Sequence, residues 1–306
     1  MSVHNARSGC DEHAGILPSL RRTPLLCLKA FPGVWLKCEH RNPSGSHKDR
    51  AYRSMLKATG NSLAGGTFVD YTTGNGGISL AWLAREVGAH AVVFMPEGMT
   101  AARSRLIRSY GAELLLTPRE EFVAGARGAA EVYTRSHAGA VLLSQSDNLA
   151  NMQAFIEVGE ELLSQLARRK IRPVTFICGI GTGGIFSGFA RVLKGEFSTV
   201  RAIGIEVPEA PIIWAKRRGE VVVPSLPSII GMGAGKVAVN TDERLIDDIV
   251  IIGAGDIVAV SDALSRTDGL RVGPSTAANV LVASRMVERG GGPVVTVSFD
   301  RSDRED

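Results

Sequence analysis

The sequence predicts an α/β fold of mainly parallel sheets with helices on both faces. Three observations lead there. Short apolar, β-rich runs alternate with helical patterns almost throughout the 306 residues. The 35 glycines cluster in short runs rather than in linkers, as where backbone approaches a ligand closely. The two strongest of those runs follow Tyr71 and Cys178, each at the end of a predicted strand. In a parallel sheet that is the carboxyl edge, where ligands bind.

Thr67–Tyr71 opens the series as a β-rich run, followed by a glycine turn and a helical pattern over Ile78–Val87. Ala91–Met95 is the next strand, closed by Pro96-Glu97-Gly98, and a helix follows over Ala101–Tyr110. Glu113–Leu116 and Val141–Leu143 read as strands on either side of a helix at Glu120–Ser136, and Asn151–Ala167 is helical. The second half repeats the logic. Val174–Cys178 is a strand of buried type, Gly184–Leu193 a helix and Arg201–Glu206 a strand. Ala254–Arg266 and Ser275–Glu288 read as helices, and Val294–Phe299 as a late strand. The segment Glu209–Lys236, with three prolines and little periodicity, is expected to be irregular surface near the cleft. The charged tail Asp300–Asp306 is expected to fray.

Composition excludes several function classes. Hydrophobic residues at 44% and charged residues at 22% describe an ordinary soluble globular chain. The net charge of +4 is small and interleaved, so no nucleic-acid partner is expected. Arg168-Arg169-Lys170 suits the end of a helix, where cations complement the dipole. Cys10, Cys27, Cys38 and Cys178 are scattered with no CxxC pair, which argues against a disulfide framework and for a reducing compartment. Cys10 and His13 alone make no metal site. No apolar run reaches membrane-spanning length and the N-terminus lacks a signal-peptide core, so a cytoplasmic location is expected.

Five segments carry chemistry. Asn42-Pro43-Ser44-Gly45-Ser46-His47-Lys48-Asp49-Arg50 surrounds a single lysine with turn formers. A desolvated lysine loses its proton and forms a Schiff base with an aldehyde, although taken alone Lys48 reads as a surface charge in a first helical turn. Cys178-Gly179-Ile180-Gly181-Thr182-Gly183-Gly184-Ile185 joins a strand to a helix, where free amides cradle a phosphate. It is not a P-loop, and it formally satisfies GxGxxG, with Glu206 as the ribose partner of a dinucleotide reading. Thr72-Thr73-Gly74-Asn75-Gly76-Gly77 offers hydroxyls and amides suited to a carboxylate, with Thr72 as an alternative N-cap. Gly273-Pro274-Ser275-Thr276 places Ser275 before a helix as an N-cap, and Gln145 with Asp147-Asn148 fits a turn.

Together, and in their order along the chain, these segments resemble the fold-type II pyridoxal-phosphate (PLP) enzymes, within them the cysteine synthase and cystathionine β-synthase group. The resemblance runs from Thr23-Pro24-Leu25 to Val294–Asp300. It implies two open, mainly parallel twisted sheets flanked by helices, as in the tryptophan synthase β fold, with the site in the cleft between domains. The larger, phosphate-binding domain would comprise 1–41 and 148–306, and the smaller, mobile substrate-loop domain 42–147. Lys48 becomes the Schiff-base residue and Asn75 the contact to the cofactor ring oxygen. Thr72, Thr73, Gly74 and Gln145 take the substrate carboxylate. Gly181, Thr182, Gly183, Gly184 and Ile185 form the phosphate cup, and Ser275 meets the pyridine nitrogen. A serine there does not enforce ring protonation, which suits α-proton removal and loss of a β-substituent to an aminoacrylate, to which sulfide or an amine then adds. A homodimer acting on a small amino acid and a small nucleophile is implied.

The departures are specific. Ile185 lacks the hydroxyl of the threonine that usually ends the cup. Gly76 replaces a threonine and is expected to enlarge the pocket. His47 stands where an apolar or aromatic residue is common. Lys236 replaces an apolar residue and would recognise an anionic substituent. Rival readings are a serine/threonine dehydratase or threonine synthase, an NAD-binding α/β protein, and a non-catalytic homologue.

Overall fold

The computed structural model describes residues 16–60, 62–233 and 235–305. Among these residues ten strands form two sheets, flanked by nine α-helices. In chain order these are β1 (Leu25–Cys27), β2 (Val34–Lys37), α1 (Lys48–Ala58), β3 (Thr67–Tyr71), α2 (Asn75–Val87), β4 (His90–Pro96) and α3 (Ala101–Ser109). There follow β5 (Glu113–Thr117), α4 (Phe122–Ser136), β6 (Ala140–Leu142), α5 (Ala150–Arg169), β7 (Thr175–Gly179), α6 (Gly184–Glu196) and β8 (Arg201–Glu206). The chain closes with α7 (Ile212–Lys216), β9 (Asp248–Ile251), α8 (Val258–Asp268), α9 (Pro274–Glu288) and β10 (Val294–Val297).

The smaller sheet has the order β5-β4-β3-β6 and is parallel throughout. The larger runs β1-β2-β10-β7-β8-β9, with only β1 antiparallel to its neighbour. The strands at its centre are buried on both faces, which is why β7 (TFICG) and β10 (VVTV) read as continuous rather than alternating patterns. A single large core joins α1, α2, α5, α6 and α9 to the sheets. A second, smaller one lies where Val69, Tyr71, Val92 and Phe94 meet Ala126 and Ala130 of α4.

Phe155 of α5 and Phe176, Phe186 and Phe189 around β7 and α6 pack in edge-to-face and tilted pairs at centroid separations of 5.7–6.3 Å. Each is fully buried, worth roughly 1.5–3 kcal/mol apiece in removed apolar surface. Gly188 lets α5 and α6 approach at this point: a Cβ there would lie 2.6 Å from Phe155 Cβ and 2.7 Å from its backbone. That cluster seats the N-terminus of α6, and with it the glycine loop.

Three strands and two helices lie outside the series of elements expected from sequence: β1, β2, β9, α1 and the short α7 inside the otherwise irregular Glu209–Lys236 segment. The tail expectation is overturned. Asp300 and Arg304 are each 1% exposed. Arg304 donates to Ser44 O, and the Thr100 hydroxyl donates to Arg304 O. Hydrogen bonding and, between Glu305 and Arg103, ion pairing across the fold thus use charges that composition alone assigns to solvent. Among the described residues no helix is long and apolar enough to cross a membrane. Cys10 and His13 lie outside the described residues.

Candidate active site

Lys48 is the first residue of α1, and the loop that delivers it is fixed from two sides. Asp49, fully buried, accepts from Ser44 N–H at 2.8 Å, from Ser79 Oγ at 2.7 Å and from the Ser44 hydroxyl. Burial pushes the Asp49 carboxyl up from its ordinary range, and these donors oppose that rise. On the other side Ser46 bridges Asp300, and His47 N–H donates to Phe299 O at 2.8 Å. The lysine therefore stands against the exit of β10, at the carboxyl edge of the larger sheet.

Its ammonium points across the cleft to Thr182, donating to Oγ1 at 3.1 Å. Burial lowers the Lys48 pKa to about 8, while the Asp70 carboxylate pulls it upward. Asp70 is itself buried in β3 and pushed up to about 6 by desolvation. It accepts from Tyr52 OH at 2.8 Å, Tyr71 N–H at 2.8 Å and Gln145 N–H at 3.2 Å.

Most of the expected residues converge on one cavity. Thr72, Thr73, Asn75 and Gln145, from loops that follow strands of the smaller sheet, line it together with Lys48, Gly181, Thr182 and Ser275. Gly74, Gly183, Gly184 and Ile185 stand behind this lining. Thr72 is not the N-cap of α2. Its Oγ1 accepts from Gly74 N–H at 3.0 Å, and Gly74 occupies the cap position. Ser275 is not a cap either, since Gly273 holds that place and Pro274 opens α9.

Two departures resolve differently from expectation. A Cβ at Gly76 would lie 2.6 Å from Tyr52 OH, 2.8 Å from Gln145 Nε2 and 3.0 Å from Thr72 Oγ1. Polar side-chain ends fill the space a larger residue would take, so the pocket is not enlarged there. Lys236 is not brought to the cavity lining. It is 39% exposed and its ammonium is committed to Asp147, at 2.8 and 3.0 Å from the two carboxylate oxygens.

His47 lines the cavity beside Lys48. Its Nδ1 lies 3.1 Å from Phe299 O, a pure acceptor, which places the proton on Nδ1. Burial, reinforced by the Lys48 charge, lowers its pKa to about 3, so the ring is neutral at physiological pH.

Sequence reasoning missed Asp70, Asp300 and Arg103. Asp300 accepts from Asn75 Nδ2, and Arg103 lines the cavity while pairing with Glu305 at 2.6 Å. Signals for two of them existed. Asp70 is a charge inside an apolar strand, and Arg103 is a cation in the first turn of a helix, where the dipole disfavours it. Glu206, the ribose partner of the dinucleotide alternative, is occupied otherwise: it accepts the Ile213 and Trp214 amides, each at 2.9 Å.

Residues 16–300 match the family described as pyridoxal-phosphate dependent enzyme, and the chain belongs to that family. It is 34% identical to a cysteine synthase of Staphylococcus aureus, over 89% of this chain and 86% of that protein. Cysteine synthase B of Campylobacter jejuni is 31% identical over 90% of this chain and 91% of that protein. Among solved structures, an O-ureido-L-serine synthase superposes with a TM-score of 0.85 at 30% identity, covering 93% of this chain and 90% of that one. An O-acetylserine-dependent cystathionine β-synthase from Helicobacter pylori gives 0.83 at 27% identity, covering 93% and 94%. These likenesses place the chain in the cysteine synthase and cystathionine β-synthase group of fold-type II, with PLP as its cofactor.

The residues present fit PLP. Asn75 Oδ1 and Gln145 Oε1 are buried without a hydrogen-bond partner among the described residues. Buried polar atoms are normally satisfied, so orphans on one cavity mark where a polar ligand completes them. The Lys48 amine, buried and of lowered pKa, lines the same cavity and donates to Thr182 in the glycine loop before α6.

Proposed function

We propose that the enzyme performs β-replacement on a serine or cysteine derivative. The Cα proton is removed, the β-substituent leaves, and a small nucleophile such as sulfide or an amine takes its place. When bound, PLP supplies an aldehyde carbon for amines and a conjugated ring that accepts the electron pair left at Cα. The remaining work falls to the chain's own groups.

The observation that carries this reading is the Lys48 amine, buried, lowered to about 8 and held 3.1 Å from Thr182. An amine poised near neutral pH both accepts and returns a proton, as removal and restoration of the Cα proton require. Thr182 Oγ1 receives hydrogen bonds from Lys48 and, at 3.2 Å, from Asn151 Nδ2, which leaves its own proton to donate outward. With the amides of Gly181, Gly183, Gly184 and Ile185 it forms the anion cup at the start of α6, favoured by the helix dipole. Thr72, Thr73, Gly74 and Gln145 hold the substrate carboxylate opposite. Asn75 turns to the cofactor ring oxygen and Ser275 to its nitrogen. The smaller domain, 42–147, closes on the substrate. Lys236 serves as the partner of Asp147 at the rim rather than as a substrate ligand. Support for a homodimer in the cytoplasm comes from the likeness to cysteine synthases.

The test supplies the purified holoenzyme with O-acetylserine, O-phosphoserine or cysteine, each with sulfide or a small amine. Products are identified by mass spectrometry. A new β-substituted amino acid is expected, with Lys48→Ala losing about 10²–10⁴-fold in rate. Pyruvate as the sole product in every mixture would reassign the enzyme to β-elimination. Undiminished turnover in Lys48→Ala would remove the lysine from its role.

A further inference from the structure

The cup at the start of α6 closes on Ile185, which has no hydroxyl and packs into the apolar core. A different hydroxyl stands against the same loop. Thr241, 9% exposed, carries an Oγ1 that is buried with no hydrogen-bond partner among the described residues. A Cβ built on Gly183 would lie 2.0 Å from that oxygen and 2.8 Å from Thr241 N. The hydroxyl is therefore in direct contact with the central glycine of the cup. Gly183, at φ +77, also turns the chain into α6 in a conformation that other residues rarely adopt.

Thr241 is held rigidly. Its N–H donates to Ala238 O at 2.9 Å, and the next amide, of Asp242, donates to Ser187 Oγ in α6 at 2.9 Å. On its other side Asn240 Nδ2 donates to Gln145 O and Ser146 O, both at 3.0 Å. The loop that carries Thr241 is thus pinned both to the helix bearing the cup and to the segment bearing Gln145. A buried, immobilised hydroxyl with nothing to bond is unfavourable unless a ligand completes it. The ligand class suited to this place is an anion with several acceptor oxygens, as the free amides of the loop require.

We propose that Thr241 donates a hydrogen bond to the cofactor phosphate, supplying from the loop before β9 the hydroxyl that Ile185 lacks. This rests on the assignment of Gly181–Ile185 as the phosphate cup. The step is one of binding and positioning, with no bond made or broken.

The experiment compares PLP with pyridoxal, which has the same ring and aldehyde but no phosphate. Holoenzyme is stripped and reconstituted with each, the affinities are measured by fluorescence titration, and the 31P resonance of bound PLP is recorded. Thr241→Val should weaken PLP about tenfold, leave pyridoxal unchanged and shift the 31P resonance. Thr241→Ser should behave as wild type. Ile185→Thr in the Thr241→Val background should restore PLP affinity. The proposal is overturned if Thr241→Val holds PLP within twofold of wild type, or weakens PLP and pyridoxal equally. Thr182→Ala separates the two levels. If it weakens PLP while Thr241→Val does not, the Thr241 assignment alone fails. If both are silent toward PLP, the cup itself is misassigned.

Discussion

Replacing Asp70 by asparagine tests the electrostatics of the site most directly. Asp70 is fully buried in β3, and its carboxyl is raised from an ordinary 3.8 to about 6, chiefly by desolvation. The folded chain therefore holds this proton more tightly than the unfolded chain does. The contribution is most favourable below about pH 4 and is lost as pH rises through the folded value near 6. At 1.36 kcal/mol per pH unit, a rise of about 2 units makes that loss ~3 kcal/mol. Asp70→Asn carries no such titration. Urea unfolding of the cofactor-free enzyme and the variant, at intervals from pH 4 to pH 7, should show the variant gaining ~3 kcal/mol relative to wild type across the interval. Asp70 is also the charge that raises the Lys48 pKa, so the variant's lysine should titrate below about 8, readable from the pH dependence of its acylation. A stability difference independent of pH would refute the buried, titrating carboxylate and with it the coupling to Lys48.

Two further outcomes follow from packing and pairing. Gly188→Ala drives a methyl to 2.6 Å from Phe155 Cβ and should cost about 1–3 kcal/mol by separating α5 from α6, read as a lowered thermal midpoint. Glu305→Ala leaves the nearly inaccessible Arg103 guanidinium without its carboxylate and should cost about 3–5 kcal/mol in urea unfolding, whereas Glu305→Asp should recover part of the loss.

The parts of the fold legible in the sequence were those whose neighbours are periodic. β3, β4, β7 and β8 are buried on both sides and announce themselves as apolar runs, and the helices between them keep one apolar face. β1 is three residues long and β9 is a partly exposed edge, too short or too mixed to declare a period. Lys48, Asn75 and Ser275 stand out in the sequence because their motifs are contiguous, and the fold brings all three to one cavity. Thr241, Arg103 and Asp300 were not, because their partners are distant in sequence. Asn75 meets Asp300 and Arg103 meets Glu305 only once both sheets are assembled. The same separation misled the reading of the tail, whose charges have buried partners rather than water. Lys236 misled in the opposite sense: its charge is real, but Asp147 occupies it.

The order of strands in the larger sheet has a consequence for how this protein is made. β10, the last strand in the chain, lies between β2 and β7 rather than at an edge. Until synthesis has passed Val297 the sheet has a gap down its middle, and β2 has no parallel neighbour. The loop carrying Lys48 waits on the same event, since His47 and Ser46 are tied to Phe299 and Asp300. A ribosome-bound chain thus contains its lysine, its glycine loop and its serine without containing a site. Such long-range closure is slow and leaves unpaired strand edges exposed until it is complete. Cofactor capture would then report that β10 has joined the sheet, since a chain cut before it lacks the partners that fix the Lys48 loop.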